Sequence, residues 1–243
     1  SGSVGSPGPA GPTCVRGSSK APCHRSCARQ GGCGDGCWLS TCADDVGFVL
    51  EVLEDVSRTL CIDGGSVHAV GFSNGAMFAL ELGTNERVAS RFRTIVAIAG
   101  VPLRGFNRPP ALRKGARFLG IYGRGDTLVP AFPNRPDDTE ALASTGWVFS
   151  TWRNTSRLWA ATLGCGALTG SSALRSPGPS PLSCFDYACS EGGVSVCLWG
   201  GPHAVPPTAL DLALQAMFPE RHEAGAAAQW ALPRTAVALA LAA

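Results

Sequence analysis

The alternation of apolar and polar positions is most informative between residues 66 and 82. Val67, Ala69, Val70 and Phe72 form a short apolar run of strand type, and the positions from Ala76 to Leu82 read as a helix. Gly71-Phe72-Ser73-Asn74-Gly75 therefore falls on a strand-to-helix turn. Upstream, Val46, Phe48, Val49, Leu50, Val52, Leu53 and Val56 recur with the spacing of an amphipathic helix. Asp44 and Asp45 precede that run and suit the positive end of a helix, which is expected to stop near Cys61-Ile62-Asp63-Gly64-Gly65.

Downstream, residues 93–99 and 117–122 read as buried strands, the second running into the loop Gly123-Arg124-Gly125-Asp126-Thr127-Leu128-Val129-Pro130. Residues 131–146 read as a polar connection, residues 148–163 as a helix carrying Trp152 and Trp159, and residues 166–183 as a Gly, Ser and Pro-rich loop. Residues 185–188 and 194–199 suggest paired strands around Glu191-Gly192-Gly193, and the second delivers Gly200-Gly201-Pro202-His203. A last helix is expected over residues 208–218. Strands with intervening helices imply an α/β fold, a mainly parallel sheet with helices on both faces. In such sheets reactive groups gather beyond the carboxyl ends of the strands, and Ser73, Asp126 and His203 each follow such an end.

Three regions are expected. Residues 1–36 are Gly, Ser, Pro, Cys and Arg with almost no large apolar residue, and cannot offset their ordering entropy by burial unless disulfides pin them. Residues 37–218 hold the core-forming patterns, and residues 219–243 read as an Ala-rich tail. The apolar end, residues 235–243, is too short to span a bilayer, and a lipid-anchor signal is the lesser reading of it. The chain begins with Ser and shows no signal peptide, so processing or an incomplete gene product is expected.

Charge narrows the function classes. A net charge of +2, with only 16% charged residues and no basic cluster, argues against a nucleic-acid or polyanion binder. Eleven cysteines fall in two groups, Cys14 to Cys61 and Cys165 to Cys197, and favour disulfides in an oxidising, secretory compartment. Zinc is the rival reading: Cys33 with Cys37, and Cys184 with Cys189, resemble ligand pairs. Only His24 accompanies the first group, and the spacings match no standard site.

The turn at Gly71 to Gly75 has the G-x-S-x-G pattern in the context its chemistry requires. A sharp turn pushes the Ser73 hydroxyl out of the sheet, and the glycines let strand and helix approach without a Cβ clash. The Asn74 N–H, at the helix N-terminus, can face a developing oxyanion. Acyl transfer also needs a base within hydrogen-bond reach and a carboxylate to orient it. Among four histidines His203 is the one that follows a strand in a Gly-rich loop; His24 lies in the first region, His68 inside a strand and His222 beyond the last helix. Asp126 is the expected acid, with Asp137, Asp138 and Asp186 as alternatives, and Asp in Gly-Asp-Thr is also a common turn former. Trp38, Trp152, Trp159 and Trp199 are candidates to line an aromatic or sugar-binding cleft, above all Trp38 and Trp199, against the ordinary reading of core packing.

Several stretches together resemble the secreted α/β-hydrolases that include polyhydroxybutyrate depolymerases, feruloyl esterases and acetylxylan esterases. They are Cys42-Ala-Asp-Asp-Val-Gly-Phe-Val49, Leu60-Cys-Ile-Asp63, Gly71-Phe-Ser-Asn-Gly-Ala-Met77, Tyr122-Gly-Arg-Gly-Asp-Thr-Leu-Val-Pro130, Trp159 through Gly164-Cys165, and Val196-Cys-Leu-Trp-Gly-Gly-Pro-His203. The resemblance implies Ser73 as nucleophile, Asp126 as acid and His203 as base, with the neighbourhood of Trp38 and Cys37 to Cys42 near the substrate mouth. It implies an extracellular ester substrate, either a polysaccharide ester or a polyhydroxyalkanoate, with no metal or organic cofactor, no nucleic acid and no membrane. Two departures stand out. Pro202 turns the usual Gly-Gly-His into Gly-Gly-Pro-His, and nothing in residues 1–36 resembles the strands and the His-Gly-type loop that supply the second oxyanion N–H. The expectation is a serine esterase with an open sheet edge where those strands are missing; a binding protein without a working oxyanion hole and a serine peptidase are the competing readings.

Overall fold

The computed structural model describes residues 43–135, 138–170 and 182–219, together with the backbone of 237–241. Helix α1, Asp45–Thr59, starts where Asp44 accepts a hydrogen bond from the Gly47 N–H at 2.9 Å. Its core stripe is Val46, Val49 and Leu53, whereas Phe48 lies on the opposite side and is 64% exposed. Strand β1, Val67–Phe72, then leads into α2, Asn74–Thr84. Strands β2, Thr94–Ile98, and β3, Arg117–Gly123, follow.

The chain next forms a small antiparallel pair, β4 (Glu140–Leu142) with β5 (Val148–Ser150), before α3, Trp152–Thr162. Here the expected helix over 148–163 is corrected: its first residues pair with β4, and Thr151, extended at φ −81° and ψ 157°, caps the shorter helix. The polar connection expected over 131–146 contains β4, and the loop expected from 166 begins inside β6, Cys165–Leu168. Strands β7, Ser183–Cys189, and β8, Gly193–Trp199, precede α4, Ala209–Met217. Residues Val237–Leu241 form β9.

Seven strands make one sheet in the order β6-β7-β8-β3-β2-β1-β9. All neighbours from β8 to β9 are parallel, and β7 and β6 add an antiparallel edge. On the β1 side the sheet ends on β9, which pairs with β1 from Val67 opposite Val237 to Gly71 opposite Leu241. An unpaired row of N–H and C=O groups is thereby satisfied. Alternation within β2 builds both faces: Ile95 and Ala97 pack with α1, α2 and Trp159 of α3, while Val96 and Ile98 pack with Leu212 and Ala213 of α4. The mostly parallel sheet with helices on both faces makes this an α/β architecture.

Disulfides staple the antiparallel edge. Cys165 joins Cys189 across β6 and β7, and Cys184 joins Cys197 across β7 and β8. Cys184 and Cys189 thus serve two different disulfides and are no zinc pair. Cys61 is a free, exposed thiol, and Cys14, Cys33, Cys37 and Cys42 lie outside the described residues. Among the described residues no helix is long and apolar enough to cross a membrane.

Candidate active site

The site starts from one backbone kink. Ser73 has φ 56° and ψ −123°, a region L-residues rarely occupy and one that costs on the order of 1–3 kcal/mol. Hydrogen bonds hold it there: its N–H donates to the Ile98 carbonyl at 2.9 Å, and its own carbonyl accepts from Ala76 at 3.0 Å and Met77 at 3.2 Å. The close crossing of β1 and α2 demands glycine at position 71, where a Cβ would stand 2.1 Å from the Gly75 carbonyl oxygen. As N-cap of α2, Ser73 does not use its hydroxyl to cap the helix, and the Oγ is directed to His203.

Asp126 is held by the turn it forms. Its Oδ1 accepts from the N–H groups of Leu128 at 3.0 Å and Val129 at 2.8 Å, and its Oδ2 accepts from His203 Nδ1 at 2.7 Å. One carboxylate thus forms the turn with one oxygen and meets the imidazole with the other. At 4% exposure it is shielded, so its geometry is not blurred by solvent. An imidazole that donates Nδ1–H to a carboxylate presents Nε2 as an acceptor, and His203 Nε2 lies 2.8 Å from Ser73 Oγ. Asp126 is 53 residues beyond Ser73 and His203 another 77, yet the three side chains form one chain of two short contacts.

Neighbouring loops fix the imidazole. Arg124 donates its N–H to the Trp199 carbonyl at 2.8 Å and Gly125 to the Gly201 carbonyl at 3.0 Å, tying the loop after β3 to the loop after β8. Phe72 lies against His203 with ring centroids 5.1 Å apart. The Trp199 ring packs on the Gly201 backbone so closely that a Cβ there would meet it at 1.9 Å, so this tryptophan buttresses the loop that carries Pro202 and His203. Trp159 is fully buried against Phe118, with ring centroids 4.5 Å apart, and Trp152 is buried at the start of α3.

The remaining candidates are accounted for by position. Asn74 opens α2 immediately after Ser73. The carboxylate of Asp186 accepts from Ser195 Oγ at 2.6 Å on the antiparallel edge, and Asp138 is exposed. Asp137, Trp38, His24, His222 and the whole of residues 1–36 lie outside the described residues. Among the described residues no group of three or more His, Cys, Asp or Glu side chains could hold a metal ion. Ala99, directly after β2, also has a positive φ, 48°.

Comparison with known proteins places this geometry in context. No family model matches the chain. Over 96 residues it is 32% identical to a protein named "Probable feruloyl esterase C" of Aspergillus niger and 32% identical to "Feruloyl esterase C" of Emericella nidulans, each match covering 38% of this chain and 33% of the relative. "Probable feruloyl esterase C" of Aspergillus terreus is 31% identical over 96 residues, again 38% of this chain and 33% of the relative. The matched region spans about a third of the length of these curated relatives.

Proposed function

We propose that residues 37–218 form an α/β-hydrolase domain that acts as a serine-dependent carboxylic ester hydrolase, with Ser73 as nucleophile, His203 as base and Asp126 as the acid that orients it. The observation that carries this reading is the continuous contact from Asp126 Oδ2 through His203 to Ser73 Oγ, at 2.7 Å and 2.8 Å, on a strained strand-to-helix turn. The similarity to proteins named feruloyl esterase C supports the same reaction class.

In the proposed reaction His203 Nε2 takes the proton of Ser73 as Oγ attacks the ester carbonyl carbon. The C–O bond forms and the carbonyl electron pair moves to oxygen, where the Asn74 N–H donates to the oxyanion with help from the positive end of α2. Collapse expels the alcohol, which receives the proton from His203, and water repeats the sequence on the acyl-enzyme. Asp126 stabilises the imidazolium at each stage, and the chemistry calls for no metal or organic cofactor.

Among esters, a feruloyl ester is the reading the relatives' names favour over a polyhydroxyalkanoate. Two disulfides among the described residues favour an oxidising, extracellular location. Hydrolysis of p-nitrophenyl acetate and methyl ferulate by the purified chain, beside a Ser73→Ala control, tests the proposal. Turnover lost in the variant supports it. Folded protein that neither turns over nor labels with a serine-directed phosphonate would replace it with a non-catalytic binding role, and cleavage of a chromogenic peptide alone would make it a peptidase.

A further inference from the structure

A cavity of about 600 Å³ lies between the loop after β3 and the start of α3, with none of Ser73, Asp126 and His203 in its lining. It begins at Arg124, two residues before Asp126, and runs to the start of α3, where Trp152, Arg153, Asn154 and Arg157 line it. Behind it, Trp152 shares a core cluster with Met77, one turn beyond Ser73, and with Val129 of the Asp126 turn. Phe132, Trp152 and the proposed catalytic turn are therefore parts of one packed body.

Its charge is one-sided. Among the described residues, three guanidiniums, those of Arg124, Arg153 and Arg157, share the lining with one carboxylate, Asp138. Among the described residues none of the three makes an ion pair, and Glu140 is already held by Arg104 through contacts of 2.6–3.1 Å. Two of them stack on aromatic rings instead: Arg124 lies 4.6 Å from the centroid of Phe132, and Arg153 5.2 Å from that of Trp152. A stacked guanidinium keeps its N–H donors in the plane of the group, where they meet a carboxylate edge-on. The positive end of α3 adds to the same field. Asn134, Asn154 and Thr139 bring amide and hydroxyl groups of the kind that pair with sugar hydroxyls.

We propose that this cavity binds a carboxylate-bearing sugar unit of the substrate, so that the ester cleaved at Ser73 belongs to an acidic oligosaccharide. The substrate assignment rests on the ester-hydrolase reading, whereas the anion site itself does not. A neutral glycan would leave the three guanidiniums without an anionic partner, and a small inorganic anion would leave most of the cavity and its amide groups unused.

Calorimetric titration of the full chain with a galacturonic acid trisaccharide, its neutral galactose counterpart and inorganic phosphate tests this directly. The acidic trisaccharide is expected to bind at least tenfold more tightly than the neutral one, with affinity falling as salt rises. Arg124→Gln with Arg157→Gln should abolish that preference while melting as the unmodified chain does, and Arg124→Lys with Arg157→Lys should restore part of it. Equal affinity for acidic and neutral sugars, or binding of phosphate without the trisaccharide, would overturn the inference. If p-nitrophenyl acetate is turned over but no acidic sugar binds, the cavity inference falls and the esterase stands. If the sugar binds and no ester is cleaved, the cavity remains as a glycan site and the esterase falls.

Discussion

Two histidines of the same sheet live under opposite conditions. His203 follows the C-terminal end of β8 and has a partner on each ring nitrogen, Asp126 on one side and Ser73 on the other. His68 sits inside β1, 1% exposed, with its ring edge-on to Phe218 at 5.1 Å, and neither ring nitrogen has a hydrogen-bond partner among the described residues. Burial, with Arg113, Arg93 and Arg117 nearby and Asp63 in weak opposition, pushes the His68 imidazole down to a pKa of about 4. One ring is thus held between two polar partners, and the other is held neutral. The difference lies in location: beyond strand ends, loops of different sequence origin converge and can supply both partners, whereas a strand interior offers only paired backbone and apolar neighbours.

The largest effect that would break this contrast is catalytic. Ser73→Ala or His203→Ala should lower kcat on p-nitrophenyl acetate by about 10⁴-fold or more, while His68→Leu should leave turnover near that of the unmodified chain. Strong loss in His68→Leu with an unchanged melting profile would end the distinction between the two rings. Asp126→Asn should cost about 10⁴-fold in kcat, because an amide favours the wrong imidazole tautomer, and urea midpoints would show whether stability had changed as well.

Smaller effects concern the frame around each ring. At the elbow, Gly71→Ala places a Cβ 2.1 Å from the Gly75 carbonyl and should destabilise by more than about 3 kcal/mol in urea unfolding. Gly64→Ala, where nothing lies within 4 Å, should stay within about 0.5 kcal/mol. For His68 the folded pKa, about 4, lies below an unfolded value of about 6.5. The unfolded chain then binds more protons between those values, so stability is full above about pH 6.5 and declines as pH falls toward the folded value, by up to about 3 kcal/mol. Unfolding measured from pH 7 to pH 4 should show that decline, and His68→Leu should flatten it. An unchanged acid limb in the variant would mean that carboxylates, not His68, set the acid stability.

Local signals were sufficient for the elbow and for the elements that carry the other two groups. Val67 to Phe72 is apolar at strand spacing, Ala76 to Leu82 supplies a helix face, and the glycine at position 71 is required by a contact only four residues away. The order Ser73, Asp126, His203 and the parallel, helix-flanked sheet followed from the same short-range patterns. Elements whose reason for existing lies far along the chain were not legible. Val148 to Ser150 is a strand because β4 pairs with it, and the continuous apolar run of residues 237–241 becomes β9 by pairing with β1. Likewise, Arg124, Arg153 and Arg157 are scattered in the sequence and register as a charged cavity only once α3 is packed beside the loop after β3. Periodicity and turn chemistry act within about ten residues, where the sequence can be read directly. Strand pairing and the convergence of charges depend on contacts many tens of residues apart, and only the folded chain decides them.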